Sequence, residues 1–179
     1  VDPIDGTTNF VHGFPFYCVS IALAHRGELV VGVVYDPSHD EMFVAEKGKG
    51  AYLHGKPIRV SREERLSESL LSAGFPGGRD DVLQNVELVR HMIPRVRNIR
   101  MTGSAALQLA YIAAVRLTGY WERGLQAWDI AAGALLVAEA WGRITDHDGR
   151  PYTLKTRHIA ATNGLVHDEL ITELKAAHV

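Results

Sequence analysis

The 179-residue sequence lacks the features that mark several large classes of protein. Its single cysteine, Cys18, excludes a disulfide within the chain and is typical of a reducing compartment. The net charge of −2 provides no basic footprint for nucleic acid, and no apolar run is long enough to span a bilayer. We therefore expect a cytoplasmic protein without a membrane segment and without direct contact to nucleic acid.

The sequence also has no signal for a zinc site or a catalytic cysteine. The nine histidines are scattered, and no His-Glu-x-x-His motif or other zinc-ligand spacing occurs. Cys18 lies in an apolar strand pattern, which predicts a small buried hydrophobic residue and not a nucleophile. The composition, 46% hydrophobic and 22% charged, is that of a globular protein with a real core, in one domain or two small ones.

The chemistry is concentrated at the start, in the run Asp2-Pro3-Ile4-Asp5-Gly6-Thr7-Thr8-Asn9-Phe10. Pro3 fixes its own φ and disfavours helix before it, so Asp2 and Asp5 are predicted on a bent, extended segment. Mg²⁺ prefers oxygen ligands, and the two carboxylates with the Ile4 carbonyl can supply three of them. This spacing predicts a metal site.

The residues after the two acids favour an anion-binding helix start. Gly6 lets the backbone approach a ligand closely, and Thr7, Thr8 and Asn9 are all good helix N-cap types. A short helix beginning there would direct free N–H groups and a positive dipole end at a phosphate. The alternative is a plain surface turn, because Pro, Asp and Gly are the commonest turn residues.

The rest of the chain divides into two parts, predicted as residues 1–65 and 66–179. The first part predicts an antiparallel meander of closely spaced strands at 16–25, 28–35, 41–45, 51–53 and 58–60. The second part predicts strands at 70–73, 96–101, 118–121, 144–145 and 159–162 alternating with helices at 80–93, 105–115, 128–141 and 166–177. The segment 74–78 between the first of these strands and the first helix is predicted to be a flexible loop. The three tryptophans are predicted to be core residues.

A second group of candidate site residues lies in the second part. Glu122 ends a predicted strand, where sites of α/β proteins usually collect. Asp129 begins an otherwise apolar helix, and a buried acid needs a partner or a metal. Asp129 is thus predicted to face Asp2 and Asp5 across a cleft, with an ordinary contact to the helix dipole as the alternative. Gly103-Ser104-Ala105 at a helix start either admits a hydroxylated substrate or is simple capping.

The opening run, together with Trp128-Asp129-Ile130-Ala131-Ala132-Gly133, closely resembles the inositol monophosphatase family. Nearly the whole chain fits this resemblance, including Gly50-Ala51-Tyr52-Leu53-His54-Gly55 and Gly74-Phe75-Pro76, which look bacterial. The resemblance implies an α+β fold of alternating layers, an αβαβα sugar-phosphatase-like sandwich. It also implies a Mg²⁺-dependent, lithium-sensitive phosphomonoesterase that is usually a homodimer and acts on a small phosphorylated polyol.

The resemblance also implies roles for particular residues. The metal ligands would be Asp2, Asp5, Asp129 and the Ile4 carbonyl. The amides of Gly6 and Thr7 would bind the phosphate, and Thr7 would orient the attacking water, which makes Asp2, Asp5 and Thr7 the catalytic residues. The pocket for the sugar or inositol hydroxyls would be lined by Asp5, Ser104, Ala105, Glu122 and Asp129.

Two departures from the family bear on this interpretation. The family carries an upstream helix-rich segment with an acidic motif, and nothing precedes Val1 here, so we expect this chain to be a fragment or a trimmed protein. Activity is then expected to require that segment, and one sheet is expected to lack its covering helices. Thr118 stands where the family commonly has an acid, for which we expect a structural consequence.

The leading prediction is hydrolysis of myo-inositol monophosphate or a similar small polyol phosphate. Two alternatives remain open. The first is fructose-1,6-bisphosphatase activity, alone or shared, and a phosphatase of 3′-phosphoadenosine phosphates fits less well. The second is a non-catalytic, protein-binding role in bacterial transcription.

Overall fold

A computed structural model of the chain describes residues 1–75 and 79–177. The strands are β1 (Asp2–Asp5), β2 (Cys18–His25), β3 (Glu28–Asp36), β4 (Glu41–Glu46), β5 (Gly50–Leu53), β6 (Lys56–Ile58), β7 (Leu70–Ala73), β8 (Asn98–Arg100), β9 (Gly119–Glu122), β10 (Arg143–Asp146) and β11 (Ile159–Thr162). The helices are α1 (Thr7–Val11), α2 (Arg79–Met92), α3 (Ala105–Ala113), α4 (Ala127–Glu139) and α5 (His167–Ala176). Short 3₁₀ turns occur at Leu66–Glu68 and Ile93–Arg95.

The first sheet is a six-stranded antiparallel meander in the order β1-β2-β3-β4-β5-β6, which confirms the predicted arrangement. Short turns join the strands from β2 to β6, and only antiparallel pairing is compatible with such short connections, whereas α1 lies between β1 and β2. The opening acidic run forms the edge strand β1, with Asp2 opposite Ser20, Asp5 opposite Cys18 and an irregularity between the two pairs. Pro3 is compatible with this position because an edge strand leaves one side of its backbone unpaired.

The second sheet has five strands in the order β10-β11-β9-β7-β8. Strand β7 runs parallel to β8 and β9, whereas β11 is antiparallel to β9 and β10. The parallel pair β7–β8 is connected through α2, as a parallel crossover requires. The predicted α/β character of the second part is therefore confirmed.

Helices α3 and α4 lie between the two sheets, and glycine allows the closest contacts there. A Cβ on Gly32 of β3 would lie 2.7 Å from the Ala132 carbonyl oxygen of α4. A Cβ on Gly133 of α4 would overlap the Leu109 side chain of α3. These contacts fix α3 and α4 against each other and against the first sheet, which positions the residues at their amino ends.

Helices α2 and α5 pack on the other side of the second sheet. Leu88 and Met92 from α2 share one apolar cluster with Leu170 and Leu174 from α5, and Trp121 of β9 belongs to the same cluster. The described residues thus form four successive layers: sheet, helices, sheet, helices. This arrangement agrees with the predicted α+β sandwich.

The outer face of the first sheet carries apolar side chains that remain accessible. Ile21, Leu23 and Met42 are 44%, 58% and 45% exposed. The outer helical layer implied by the resemblance is not formed by the described residues. The boundary predicted near residue 65 stays a prediction, although one core cluster combines Val34 and Phe43 with Leu107 and Leu136 from beyond it.

One detail of the sequence interpretation is wrong. Trp121 is fully buried as predicted, but Trp128 and Trp141 are 53% and 72% exposed. The predicted loop 74–78 is described only at residues 74 and 75, and its remainder lies outside the described residues. Among the helices of the described ranges, none has the length and apolar character needed to cross a membrane.

Candidate functional site

Strand β1 positions two of the predicted acidic ligands. Asp2 is half-buried, and its Oδ1 accepts a hydrogen bond from the Ile4 backbone N–H at 3.0 Å. Asp5, three residues further, is buried with 8% of its surface exposed. The irregular pairing of β1 with β2 lets both acids and the Ile4 carbonyl lie on one short turn of backbone.

Helix α1 begins at Thr7, in the predicted region, but its N-cap differs from the expectation. The N-cap is Gly6, in the left-handed region with φ 86°, and no side chain caps the helix. Thr7, Thr8 and Asn9 are instead the first three helical residues, whose N–H groups have no partner within an α-helix. The Thr7 hydroxyl donates to the Ile4 carbonyl at 2.9 Å, so the predicted carbonyl ligand already accepts one hydrogen bond.

The start of α3 holds the Asp5 side chain in place. The Ser104 hydroxyl donates to Asp5 Oδ2 at 2.5 Å, and the Ala106 backbone N–H donates to the same oxygen at 2.8 Å. Ser104 is also the N-cap of α3, because its Oγ accepts from the Leu107 N–H at 3.4 Å. Ser104 thus supports Asp5 through its hydrogen bond to Oδ2. The side chains of Ser104 and Ala105 are both buried, with 1% and 5% of their surface exposed.

The third predicted ligand, Asp129, lies in the first turn of α4. Its Oδ2 accepts from the Gln126 backbone N–H at 2.7 Å, which satisfies the helix start and sets the direction of the carboxylate. The neighbouring Trp128 carbonyl accepts from the Ser20 hydroxyl of β2 at 3.3 Å. This contact ties the start of α4 to the strand that pairs with β1.

Asp2, Asp5 and Asp129 converge into one acidic cluster. One carboxylate oxygen from each lies within 4.8 Å of the others. In the part of the chain that the structure describes, none of the three forms an ion pair with lysine, arginine or histidine. Three unpaired carboxylates repel one another, and a hard divalent cation with oxygen ligands removes that repulsion. The donor set therefore fits Mg²⁺.

The electrostatic environment of the cluster supports this fit. Burial raises the pKa of Asp5 to about 6, the hydrogen bonds from Ser104 and the Ala106 amide oppose the rise, and the charges of Asp129 and Asp2 add to it. Burial also raises the pKa of Asp129, and the nearby Asp2 carboxylate adds to the effect. Without a metal ion, burial and mutual repulsion make the charged form of these carboxylates unfavourable. A bound cation removes this penalty.

Glu122 lies near the acidic cluster but outside it. It ends β9 and is buried with 8% exposed, and the Tyr120 hydroxyl donates a hydrogen bond to its carboxylate. Burial raises the pKa of Glu122 to about 7, and the charges of Asp5 and Asp129 raise it further. A Cβ on Gly74 would overlap this carboxylate, so the glycine at the end of β7 is what leaves room for it.

Several functional contacts were not found from the sequence. Asn9 was interpreted only as a cap type, yet its side-chain amide joins α1 to two other segments by hydrogen bonds to the Phe16 and Thr102 carbonyls. Tyr120 was not singled out, although the two-residue alternation of a strand places it on the same face as Glu122. No sequence signal marked Asn9, because both acceptors are backbone groups brought near it by the fold.

Thr118 has the structural role expected of it. Its hydroxyl accepts from the Leu70 N–H at 3.2 Å and donates to the Glu63 carboxylate at 3.3 Å. These contacts join β7 to the end of the first part. Cys18 is buried as predicted, 3.8 Å from Asp5 Oδ2, and burial raises the pKa of its thiol well above the usual range. A thiol in this state is a poor nucleophile.

Comparison with known proteins assigns the chain to a family. Residues 1–178 match the model of the inositol monophosphatase family. The chain is 43% identical over 176 residues to an inositol-1-monophosphatase of Mesorhizobium japonicum, covering 98% of this chain and 66% of that protein. It is also 44% identical over 179 residues to Nus factor SuhB of Pseudomonas aeruginosa, covering 98% of this chain and 66% of that protein.

A solved structure contains the architecture of this chain as part of a longer one. The inositol monophosphatase of Anabaena (Nostoc) sp. PCC 7120 superposes with a TM-score of 0.94 at 44% identity, covering 97% of this chain and 69% of that one. The chain thus spans about two thirds of the length of the relatives that it matches. Because the match extends over almost every residue of the chain and includes the acidic cluster, the chain belongs to the inositol monophosphatase family.

Proposed function

We propose that the protein is a Mg²⁺-dependent phosphomonoesterase whose substrate is myo-inositol monophosphate or a similar small polyol phosphate. The observation that carries the proposal is the convergence of Asp2, Asp5 and Asp129, without cationic partners in the described part of the chain, beside the free end of α1. Family membership supports the reaction class, and the names of relatives such as the Mesorhizobium japonicum inositol-1-monophosphatase support the substrate class.

Different residues of the chain bind the metal ion and the phosphate group. Asp2, Asp5, Asp129 and the Ile4 carbonyl hold Mg²⁺, which when bound acidifies water and neutralises charge on the phosphate. The Gly6 and Thr7 amides donate to the phosphate oxygens, where fixed backbone donors stabilise developing charge without reorganising. The Thr7 hydroxyl donates a hydrogen bond to the Ile4 carbonyl. From this position Thr7 orients the attacking water.

The hydroxyls of the polyol are recognised by the second group of residues. Glu122, buried at the end of β9, offers its carboxyl group to a hydroxyl of the polyol. Asp129 offers its carboxylate, and Ser104 and Ala105 shape the wall formed by the start of α3. We also propose that lithium inhibits the protein, that it forms a homodimer and that it is located in the cytoplasm.

The test is a steady-state assay of phosphate release, carried out with the protein encoded by the complete open reading frame that contains this chain. Inositol 1-phosphate and fructose 1,6-bisphosphate are compared at increasing Mg²⁺, with and without lithium. We expect Mg²⁺-dependent hydrolysis with the higher kcat/KM for inositol 1-phosphate. A higher kcat/KM for fructose 1,6-bisphosphate would assign the second activity instead.

Substitution of a proposed ligand tests the metal assignment. Asp5→Asn removes a ligand charge and is expected to reduce kcat by at least about 100-fold, because metal ligands contribute several kcal/mol to the transition state. The matched control is Glu64→Gln, an exposed acid outside the site, for which kcat stays unchanged. Near-normal turnover by Asp5→Asn, with Mg²⁺ still required, would contradict the assignment.

A non-catalytic role in bacterial transcription is the second candidate, favoured by the relative named Nus factor SuhB. Its partner would be a protein, because the net charge of −2 gives no support to RNA binding. The candidates are separated by complementing a gene deletion with Asp129→Asn. A variant that no longer hydrolyses phosphate esters but restores the phenotype would favour the protein-binding role.

A further inference from the structure

We propose that Asn9 is a positioning residue that sets the affinity of the acidic cluster for its metal ion. The inference rests on the proposed function, because it concerns the same metal. Asn9 Nδ2 donates to the Phe16 carbonyl at 2.7 Å and to the Thr102 carbonyl at 2.6 Å. Both amide hydrogens are therefore in use, and one side chain joins α1 to the loop before β2 and to the loop before α3.

The second of these loops supports a metal ligand. Thr102 is followed by Gly103 and Ser104, and the Ser104 hydroxyl donates to Asp5 Oδ2 at 2.5 Å. The Ala106 N–H, in the first turn of the same helix, donates to that oxygen at 2.8 Å. Asn9 thus fixes the turn whose next residues hold the Asp5 carboxylate.

Close packing around the amide leaves the turn little freedom while the hydrogen bonds are present. Gly103 has φ +87°, and a Cβ there would lie 3.1 Å from Asn9 Nδ2. A Cβ on Gly6 would lie 3.0 Å from the Phe16 carbonyl oxygen and 3.2 Å from Ser104 Cβ. The start of α1, the Phe16 carbonyl and the Ser104 turn are therefore in contact around Asn9.

Loss of the amide has a specific expected effect. The Phe16 and Thr102 carbonyls lose their donor, the turn at 102–104 relaxes, and the donors that orient Asp5 move with it. Free protein then binds the metal less tightly, because the ligand must be ordered during binding. A saturating metal ion orders Asp5 itself, so turnover recovers when the ion is in excess.

The experiment compares Asn9→Leu and Asn9→Ala with the control Thr8→Ala in the complete protein. Leucine has the branching of asparagine but bulkier methyl groups and no donor, alanine removes both the branch and the donor, and Thr8 is an exposed neighbour on the same helix. Dissociation constants for Mg²⁺ and Mn²⁺ are measured by titration calorimetry without substrate. In parallel, kcat for inositol 1-phosphate is measured as a function of Mg²⁺.

We expect both Asn9 variants to bind the ions about 10-fold more weakly than Thr8→Ala, the size of effect that loss of such hydrogen bonds gives. At saturating Mg²⁺ their kcat returns to within about threefold of the control, since the chemical groups themselves are unchanged. Equal effects of leucine and alanine assign the role to the hydrogen bonds.

Four outcomes would overturn the inference. In the first, Asn9→Leu binds the metal like the control while Asn9→Ala binds it more weakly, which would make Asn9 a packing residue. In the second, both variants bind metal normally. In the third, neither variant folds by circular dichroism, which would make Asn9 a folding residue only. In the fourth, the unmodified protein neither binds Mg²⁺ nor releases phosphate, which would overturn the proposed function together with the inference. The first three leave the proposed function intact.

Discussion

Replacing Asp129 with asparagine is expected to stabilise the metal-free protein while it removes metal binding. The three carboxylates contribute oxygens that lie within 4.8 Å of one another. Two unit charges at that distance repel by about 3 kcal/mol at an effective dielectric constant of 20. Asp129→Asn deletes one of the three charges, and the new amide N–H can donate to a neighbouring carboxylate.

The net gain is smaller than the Coulomb figure, because solvent and partial protonation already relieve some of the repulsion. We expect about 1–2 kcal/mol, which raises Tm by about 2–8 °C in a chain of this size. The helix start does not lose its cap. The Gln126 N–H, which donates to Asp129 Oδ2 at 2.7 Å, can donate to the asparagine oxygen in the same position.

Thermal unfolding of both proteins in excess EDTA and in excess Mg²⁺ measures the effect. In EDTA the variant should have the higher Tm. In Mg²⁺ the order should reverse, because only the unsubstituted protein gains the stabilisation that ligand binding gives to the folded state. Glu64→Gln, a charge change far from the cluster, should leave both Tm values unchanged. A lower Tm of Asp129→Asn in EDTA, or an undiminished rise in its Tm on adding Mg²⁺, would contradict this expectation.

Two further predictions concern packing and pH. Gly133→Ala should lower stability by about 1–3 kcal/mol despite the higher helix propensity of alanine, because its Cβ overlaps Leu109 and separates α3 from α4; denaturant unfolding measures this, and a higher midpoint would contradict it. Burial lowers the pKa of His167 to about 4, below the value near 6.5 in the unfolded chain. The unfolded state therefore takes up the proton first, so the stability contributed by the neutral histidine is complete above pH 6.5 and is lost as pH falls towards 4, by up to about 3 kcal/mol. His167→Gln should flatten the acid limb of a stability–pH curve without abolishing it, because His147 has a similar pKa of about 4; an identical acid limb in the variant would refute the assignment.

The strands and helices were largely predictable because their patterns are local. Strands β7 and β11 match their predicted limits, since each is a short, mostly apolar run bounded by polar residues or glycine in the sequence. Strand β1 was not predicted as a strand, because proline and acids disfavour one and its pairing depends on β2. The exposure of Trp128 could not be derived either, because it depends on which side of α4 the sheets cover, and Trp141 lies beyond the end of that helix.

The site was predictable in its residue types but not in its supports. Two acids around Pro3, and an isolated acid opening an apolar helix, were enough to select Asp2, Asp5 and Asp129, which the fold brings together. The roles proposed for Thr7, Gly6 and Glu122 came from the family resemblance and stay predictions. The bonds from Ser104 and Ala106 to Asp5 could not be foreseen, because they join residues about a hundred positions apart.

The origin of the three carboxylates in β1 and in α4 has a kinetic consequence. A folding intermediate that has built only the first sheet contains Asp2 and Asp5 but not Asp129, so it offers an incomplete set of ligands. The complete set of ligands exists only once α4 has docked on the first sheet, and contacts that form after a rate-limiting barrier slow unfolding without accelerating folding. Mg²⁺ would then slow the unfolding of the folded protein without accelerating its folding.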